Sequence, residues 1–198
     1  MLKAPETMSA PTATVSSPTA KVERPWLSGW RLAALLMAAL AVYGVMVGVT
    51  LPELTARGGG LTMFDVTPLG YDAAYAHALL DRLGPDGRHY YLFRQLPLDF
   101  AYPALMALSL AGIWLTLLRW ANLDSTRLRA LAWLAAGMAA LDYAENISVA
   151  AMLLSFPQES GALVGFASVA TVMKSMTATV CFVGVLGAGA IAVVRRRR

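Results

Sequence analysis

Cysteine is almost missing from this chain. Cys181 is the single one, so an intrachain disulfide, a C-x-x-C motif and a zinc ligand set are all excluded. Histidine is nearly as scarce. His77 and His89 lie in one connecting segment without the spacing of a metal pair, and both read as ordinary interface residues. Charge is thin too, at 14% of residues, where a soluble domain carries about 25%. A nucleic-acid partner does not follow from the net charge of +4, because the basic residues sit beside apolar runs, where they set membrane topology and touch anionic lipid.

What is present is apolar sequence, 58% of 198 residues, in several uninterrupted runs. That is the composition of an integral membrane protein of one domain, with the lipid bilayer as its first partner. Residues 1–25, rich in Pro, Thr, Ser and Ala, cannot bury enough surface to fold and read as a disordered tail. Residues 26–194 read as the transmembrane domain. Its first span covers about 30–51, with Trp26 and Trp30 as interfacial anchors, Gly44 and Gly48 as a GxxxG, and Pro52 as the stop.

A long outer loop, 52–95, follows. Within it Tyr71, Ala74, Tyr75, Ala78, Leu79 and Leu83 keep helical spacing up to Gly84-Pro85. This predicts an amphipathic helix on the membrane surface or over the end of the bundle. The second span covers about 96–118, with Pro97 at its start and Pro103 as a kink. Asp124-Ser125 offers an N-cap for the third span, about 128–156. The fourth covers about 162–194, and residues 195–198 are four arginines.

The fold expected is therefore all-α, a bundle of four transmembrane helices. Lys3, Lys21, Arg24 and Arg31, the arginines of the central link, and the four terminal arginines all fall on one side. The positive-inside rule then puts both termini in the cytoplasm and the protein in the cell (inner) membrane.

The costly residues lie in the third and fourth spans. Asp142 and Glu145 are three apart, and Asp142 and Asn146 four apart, so a helix shows them on one face. Carboxylates at bilayer depth cost at least a few kcal/mol and face partners inside a bundle. Lys174 is the matching cation. Counted from the turn between spans three and four, Glu145 and Lys174 each lie roughly 18 Å deep. Counted from the inner ends, Asp99, Glu145 and Lys174 all stand about 30 Å up. Small residues share the Lys174 side of its helix, and Phe166, Val169, Val172, Met176, Val180 and Val183 occupy the other. Lys174 is thus expected to point towards Glu145 and Asp142, with Asp99 and Tyr102 in the same layer.

One lysine against three acids leaves a surplus, and a carboxylate without a partner in low dielectric holds a proton. A candidate site for a proton, cation or small polar ligand follows: Asp99, Tyr102, Asp142, Glu145, Asn146 and Lys174. The competing reading is that these groups only fix helix packing and assembly. A membrane enzyme acting on a lipid or quinone ranks third. No nucleophile with an adjacent base is visible, so no catalytic residue, metal or cofactor is assigned. Four spans make a thin bundle, so a transport pathway calls for a homo-oligomer or a membrane partner.

Leu98-Asp99-Phe100-Ala101 and Leu141-Asp142-Tyr143-Ala144 echo one another, and in a chain this rich in Leu and Ala the echo reads as coincidence. Gly70-Tyr71-Asp72, Leu83-Gly84, Gln95-Leu96-Pro97-Leu98-Asp99 with Tyr102-Pro103, and Asp142 to Asn146 together resemble a set of small bacterial four-span membrane proteins. The resemblance covers about Trp30 to Val194, implies the fold above, and carries no activity with it. His-rich desaturase boxes and the Gly-x-Gly-Asp of intramembrane aspartyl proteases are both missing.

Overall fold

A computed structural model describes residues 28–123 and 125–197. The expected tail, Trp26 and the basic residues before it, Asp124 of the expected cap, and Arg198 lie outside the described residues. Among the described residues every regular element is helical. Three helices are long and apolar enough to cross a membrane: Gly29–Arg57, Ala73–Trp120 and Gly161–Arg196.

The first begins as α1, Gly29–Val45, built of strong helix formers. It does not stop at Pro52, as the sequence reading had it. The coil widens into a π turn at Met46–Thr50 and continues as α2, Leu51–Arg57. Proline has no N–H and its ring crowds the carbonyl four residues back. For Pro52 that carbonyl belongs to Gly48, inside the π turn, so the wider turn takes up the misfit. Thr50 donates back to the Met46 carbonyl at 3.3 Å and also to Gln95.

The same device recurs in the second helix. A π turn at Tyr91–Gln95 precedes Pro97 and contains Phe93, four residues before it. The two π turns pack on each other, joined by the Thr50–Gln95 bond.

Helix α3, Ala73–Tyr90, opens on Asp72, whose carboxylate accepts from the Tyr75 N–H at 2.8 Å. The expected break falls at Gly84, where φ is 61°. Pro85 then restarts the helix at once, so the second helix begins well upstream of residue 96 and runs through α4, Leu96–Trp120. The irregular part of the expected outer loop shrinks to the stretch between Arg57 and Ala73. Gly44 and Gly48 face open space, so within this chain they bring no other helix close.

Helix α5, Thr126–Ala130, is capped by Ser125, which accepts from the Leu128 N–H. The expected single helix from Leu128 is tightened where α5 meets α6, Trp133–Ser155. There Leu131, Ala132 and Leu134 bond three residues back instead of four. The Leu128 carbonyl at this tight turn also accepts from the Trp114 indole at 2.7 Å. Last comes α7, Gly161–Arg196.

Helix α4 packs against α1, α6 and α7, and α6 packs along α7. At one end α3 lies over α2 and reaches the α6–α7 turn. There His77 Nδ1 sits 2.5 Å from Glu159, and the Arg88 guanidinium covers the Phe156 ring at 4.3 Å. At the other end Arg195 donates to the Ala121 carbonyl at 2.9 Å and Arg196 covers Trp120. The outer faces of α1 and α7 expose large apolar side chains, among them Met37, Phe166, Val183 and Leu186.

Two apolar clusters fill the interior. One, around Leu54, Phe64, Leu79, Tyr91 and Met152, lies under α3. The other, around Met106, Leu110, Ala135 and Met138, lies towards the arginine end. Asp99, Asp142, Glu145, Asn146 and Thr171, all buried, lie between them along α4, α6 and α7.

Candidate functional site

Helix α6 shows Asp142, Glu145 and Asn146 to the interior, and all three are buried. The short turn after Ser155 sets α7 antiparallel to α6, so Lys174 arrives at their level. Its ammonium pairs with Glu145 and stands 3.1 Å from Asp142 Oδ1. The other Glu145 oxygen accepts from the Thr171 hydroxyl at 2.6 Å. Thr171 is one turn before Lys174 and also donates to its own helix at Ala167.

Asn146 has a different task. Pro103 lacks the N–H that would bond the Asp99 carbonyl, four residues back. Asn146 Nδ2 supplies that hydrogen bond from the neighbouring helix at 2.8 Å. A freed carbonyl in an apolar interior must find such a donor. One residue further, the Tyr143 hydroxyl reaches the Phe100 carbonyl at 3.1 Å, and the two rings stack. The two echoing segments, Leu98–Ala101 and Leu141–Ala144, therefore face each other across α4 and α6.

Asp99 is 3% exposed, and its Oδ2 has no hydrogen-bond partner. It faces a cavity of about 160 Å³ shared with Asp142, Lys174 and Asp65. Tyr102, which the sequence placed in the same layer, forms part of the wall and stacks on Tyr43 of α1 at 5.6 Å.

Asp65 was not among the residues singled out from the sequence. It stands in the short 3₁₀ turn Phe64–Val66, which folds back over the cavity. Tyr91 donates to one of its oxygens, and Gln95 Nε2 to the other at 3.0 Å. Gln95 is fully buried, and its own oxygen receives the Thr50 hydroxyl. A chain Thr50–Gln95–Asp65–Tyr91 thus ties the paired π turns to the segment between Arg57 and Ala73.

The segment is held a second time at Gly70 and Tyr71. The Tyr71 N–H donates to Ser168 Oγ of α7 at 2.8 Å. Gly70 has φ 83°, and a Cβ there would lie 2.6 Å from that same Oγ, so only glycine fits. The Tyr71 hydroxyl is buried near Thr171 and Glu145. Burial first and the Glu145 charge second push its pKa above the usual phenol value, which keeps it protonated.

Three carboxylates (Asp65, Asp99, Asp142) and one ammonium, Lys174, line the cavity, and Glu145 stands behind Lys174 as its other partner. Lys174 balances part of the charge on Asp142 and Glu145. Asp65 has neutral donors, and the Asp99 carboxyl has no bond to one oxygen at all. Such a site has room and charge for a proton or another cation. Among the described residues, no three His, Cys, Asp or Glu side chains are grouped so as to hold a metal ion.

Comparison of this chain with family models, with curated proteins and with solved structures returned no match.

Proposed function

We propose that this is a membrane protein of four spans with both termini in the cytoplasm, and that its buried acidic cavity takes up a proton or a cation in its place. Helix α6 serves as the fourth span. Its 23 residues reach about 35 Å, enough for the hydrocarbon. Its apolar run is diluted only by Asp142, Glu145 and Asn146, which face inward. The end that carries Arg195 and Arg196 is the cytoplasmic one by the positive-inside rule.

The observation that carries the functional reading is Asp99, a buried residue that lines an acidic cavity and has one carboxyl oxygen without a partner. An isolated ionised carboxylate in such a place costs several kcal/mol after relaxation, so neutralisation by a proton or a bound cation is strongly favoured. The assembly reading draws on a different observation, the double pairing of Lys174 with Asp142 and Glu145, which pins α7 to α6. The two roles fall on different residues of the same layer.

Infrared difference spectroscopy of the purified protein in dilute neutral buffer tests the functional role. The expected result is a carboxylic-acid C=O band in the parent protein that Asp99→Asn removes. Absence of that band throughout pH 5 to 8 would show every carboxylate ionised and would remove the basis of the reading.

A further inference from the structure

The wall of the cavity is chemically unlike its charged floor. Tyr43, Tyr102 and Phe182 supply aromatic surface, and Met46, Met106 and Met138 supply thioethers. Aromatic faces attract cations, and methionine adapts to irregular apolar shapes. A hard metal ion favours a dense shell of oxygen ligands instead, and no three His, Cys, Asp or Glu side chains are grouped for one among the described residues.

The size is also informative. At about 160 Å³ the space matches an apolar cavity of about 150 Å³ that accepts benzene. Tyr43, Val66 and Phe182 are on its rim and are themselves exposed, on α1, the segment between Arg57 and Ala73, and α7. The mouth therefore opens sideways between α1 and α7, between their exposed apolar faces.

We infer that the cavity binds an organic monocation, a protonated amine with an apolar body of about benzene size, whose ammonium replaces the proton on Asp99. This rests on the proposed proton or cation site and names its ligand class. The ammonium sits between Asp99 and Asp65, on the side away from Lys174, which Asp142 and Glu145 hold. The apolar body lies against Tyr102, Tyr43 and the methionines. Entry through the lateral mouth lets such an amphiphilic cation arrive from the bilayer.

The test uses protonated benzylamine as the probe, titrated calorimetrically into the full-length protein in mild detergent, with benzyl alcohol as the neutral isostere. The expected result is saturable benzylamine binding, weakened at least tenfold by Asp99→Asn, and at least tenfold weaker binding of benzyl alcohol. Bound benzylamine is also expected to abolish the infrared band of Asp99. Equal binding of benzyl alcohol would reduce the cavity to an apolar hole and overturn the inference. The Asp99 band present with no benzylamine binding would overturn the ligand class and leave the proton site standing. Loss of both band and binding would overturn both. If Asp99→Asn proves unstable, Tyr102→Ala serves as the second variant. It keeps the acid, and an at least fivefold weaker benzylamine binding is expected, since it removes an aromatic wall; unchanged binding contradicts the proposed pose.

Discussion

Lys174→Met is expected to destabilise the detergent-solubilised protein by about 3–5 kcal/mol, the range for removing one partner of a buried ion pair. The Lys174 side chain is only 12% exposed, and Glu145 is fully buried. Removing the ammonium leaves two carboxylates, Glu145 and Asp142, without their counter-charge. Thr171 still donates to Glu145, but one neutral donor does not balance an ion in low dielectric. Adding Glu145→Gln to Lys174→Met is expected to recover much of the loss, because glutamine keeps the shape and the Thr171 contact without the charge. Unfolding midpoints of the parent, both single variants and the double variant close the cycle. A Lys174→Met variant within 1 kcal/mol of the parent would mean that the carboxylates are already neutral or solvated, and that the α6–α7 pairing holds little.

The second large effect lies in the segment between Arg57 and Ala73. Tyr91→Phe with Gln95→Leu removes both donors to Asp65 and cuts the link to Thr50. Hydrogen bonds to a charged group contribute about 1.5–3 kcal/mol each. The loss falls mainly on local opening of the segment after Arg57, because the helices keep their own contacts. At the lower end of that range the two bonds together lower the opening free energy by about 3 kcal/mol, which raises the open population by roughly a hundredfold or more. Trypsin cleavage at Arg57–Gly58 is expected to accelerate in that proportion, since cleavage tracks the open population when reclosing is fast. The Gly58 N–H is bonded to Leu54 in the closed state, so the cut reports release of this segment. An unchanged rate would show that the Gly70–Tyr71 anchor on Ser168 holds the segment alone.

How much of this could be read beforehand differs from residue to residue, for physical reasons. The meeting of Glu145 and Lys174 was legible, because one short turn joins their helices and a helix rises by a fixed amount per residue. That α7 turns its small side inward was legible from Ala167, Ala170 and Thr171 against Phe166 and Val169. Pro52 misled. Proline alone reads as a stop, and what carries the helix past it is a π turn held from outside by Gln95, 45 residues away. The upstream start of the second helix was hidden by Gly84-Pro85, which ends one helix and begins the next within two residues. Asp65 was not legible at all. No local pattern marks it, and it reaches the cavity only because Tyr91, Gln95 and Ser168 fold its segment back. Asn146 carried a signal of another kind. Pro103 frees the carbonyl of Asp99, and that carbonyl requires a donor from a neighbouring helix.

The same layer thus contains groups of two kinds. Asn146, Thr171 and Lys174 complete hydrogen bonds and ion pairs that the packing creates. Asp99 offers its backbone carbonyl to that packing, while one oxygen of its carboxyl stays buried and unsatisfied beside the cavity the residue lines. A buried polar group that lowers stability and is nevertheless present marks function more often than architecture.

The most direct measurement is the unfolding free energy of Asp99→Leu in mild detergent, beside the parent. Leucine has nearly the same shape and leaves the Asn146 bond to the residue 99 carbonyl in place. If the carboxyl exists for a bound proton or cation, Asp99→Leu is as stable as the parent or more stable by about 1–2 kcal/mol. A loss of about 2 kcal/mol or more would show that the Asp99 carboxyl holds the helices together, and would contradict its reading as a binding group.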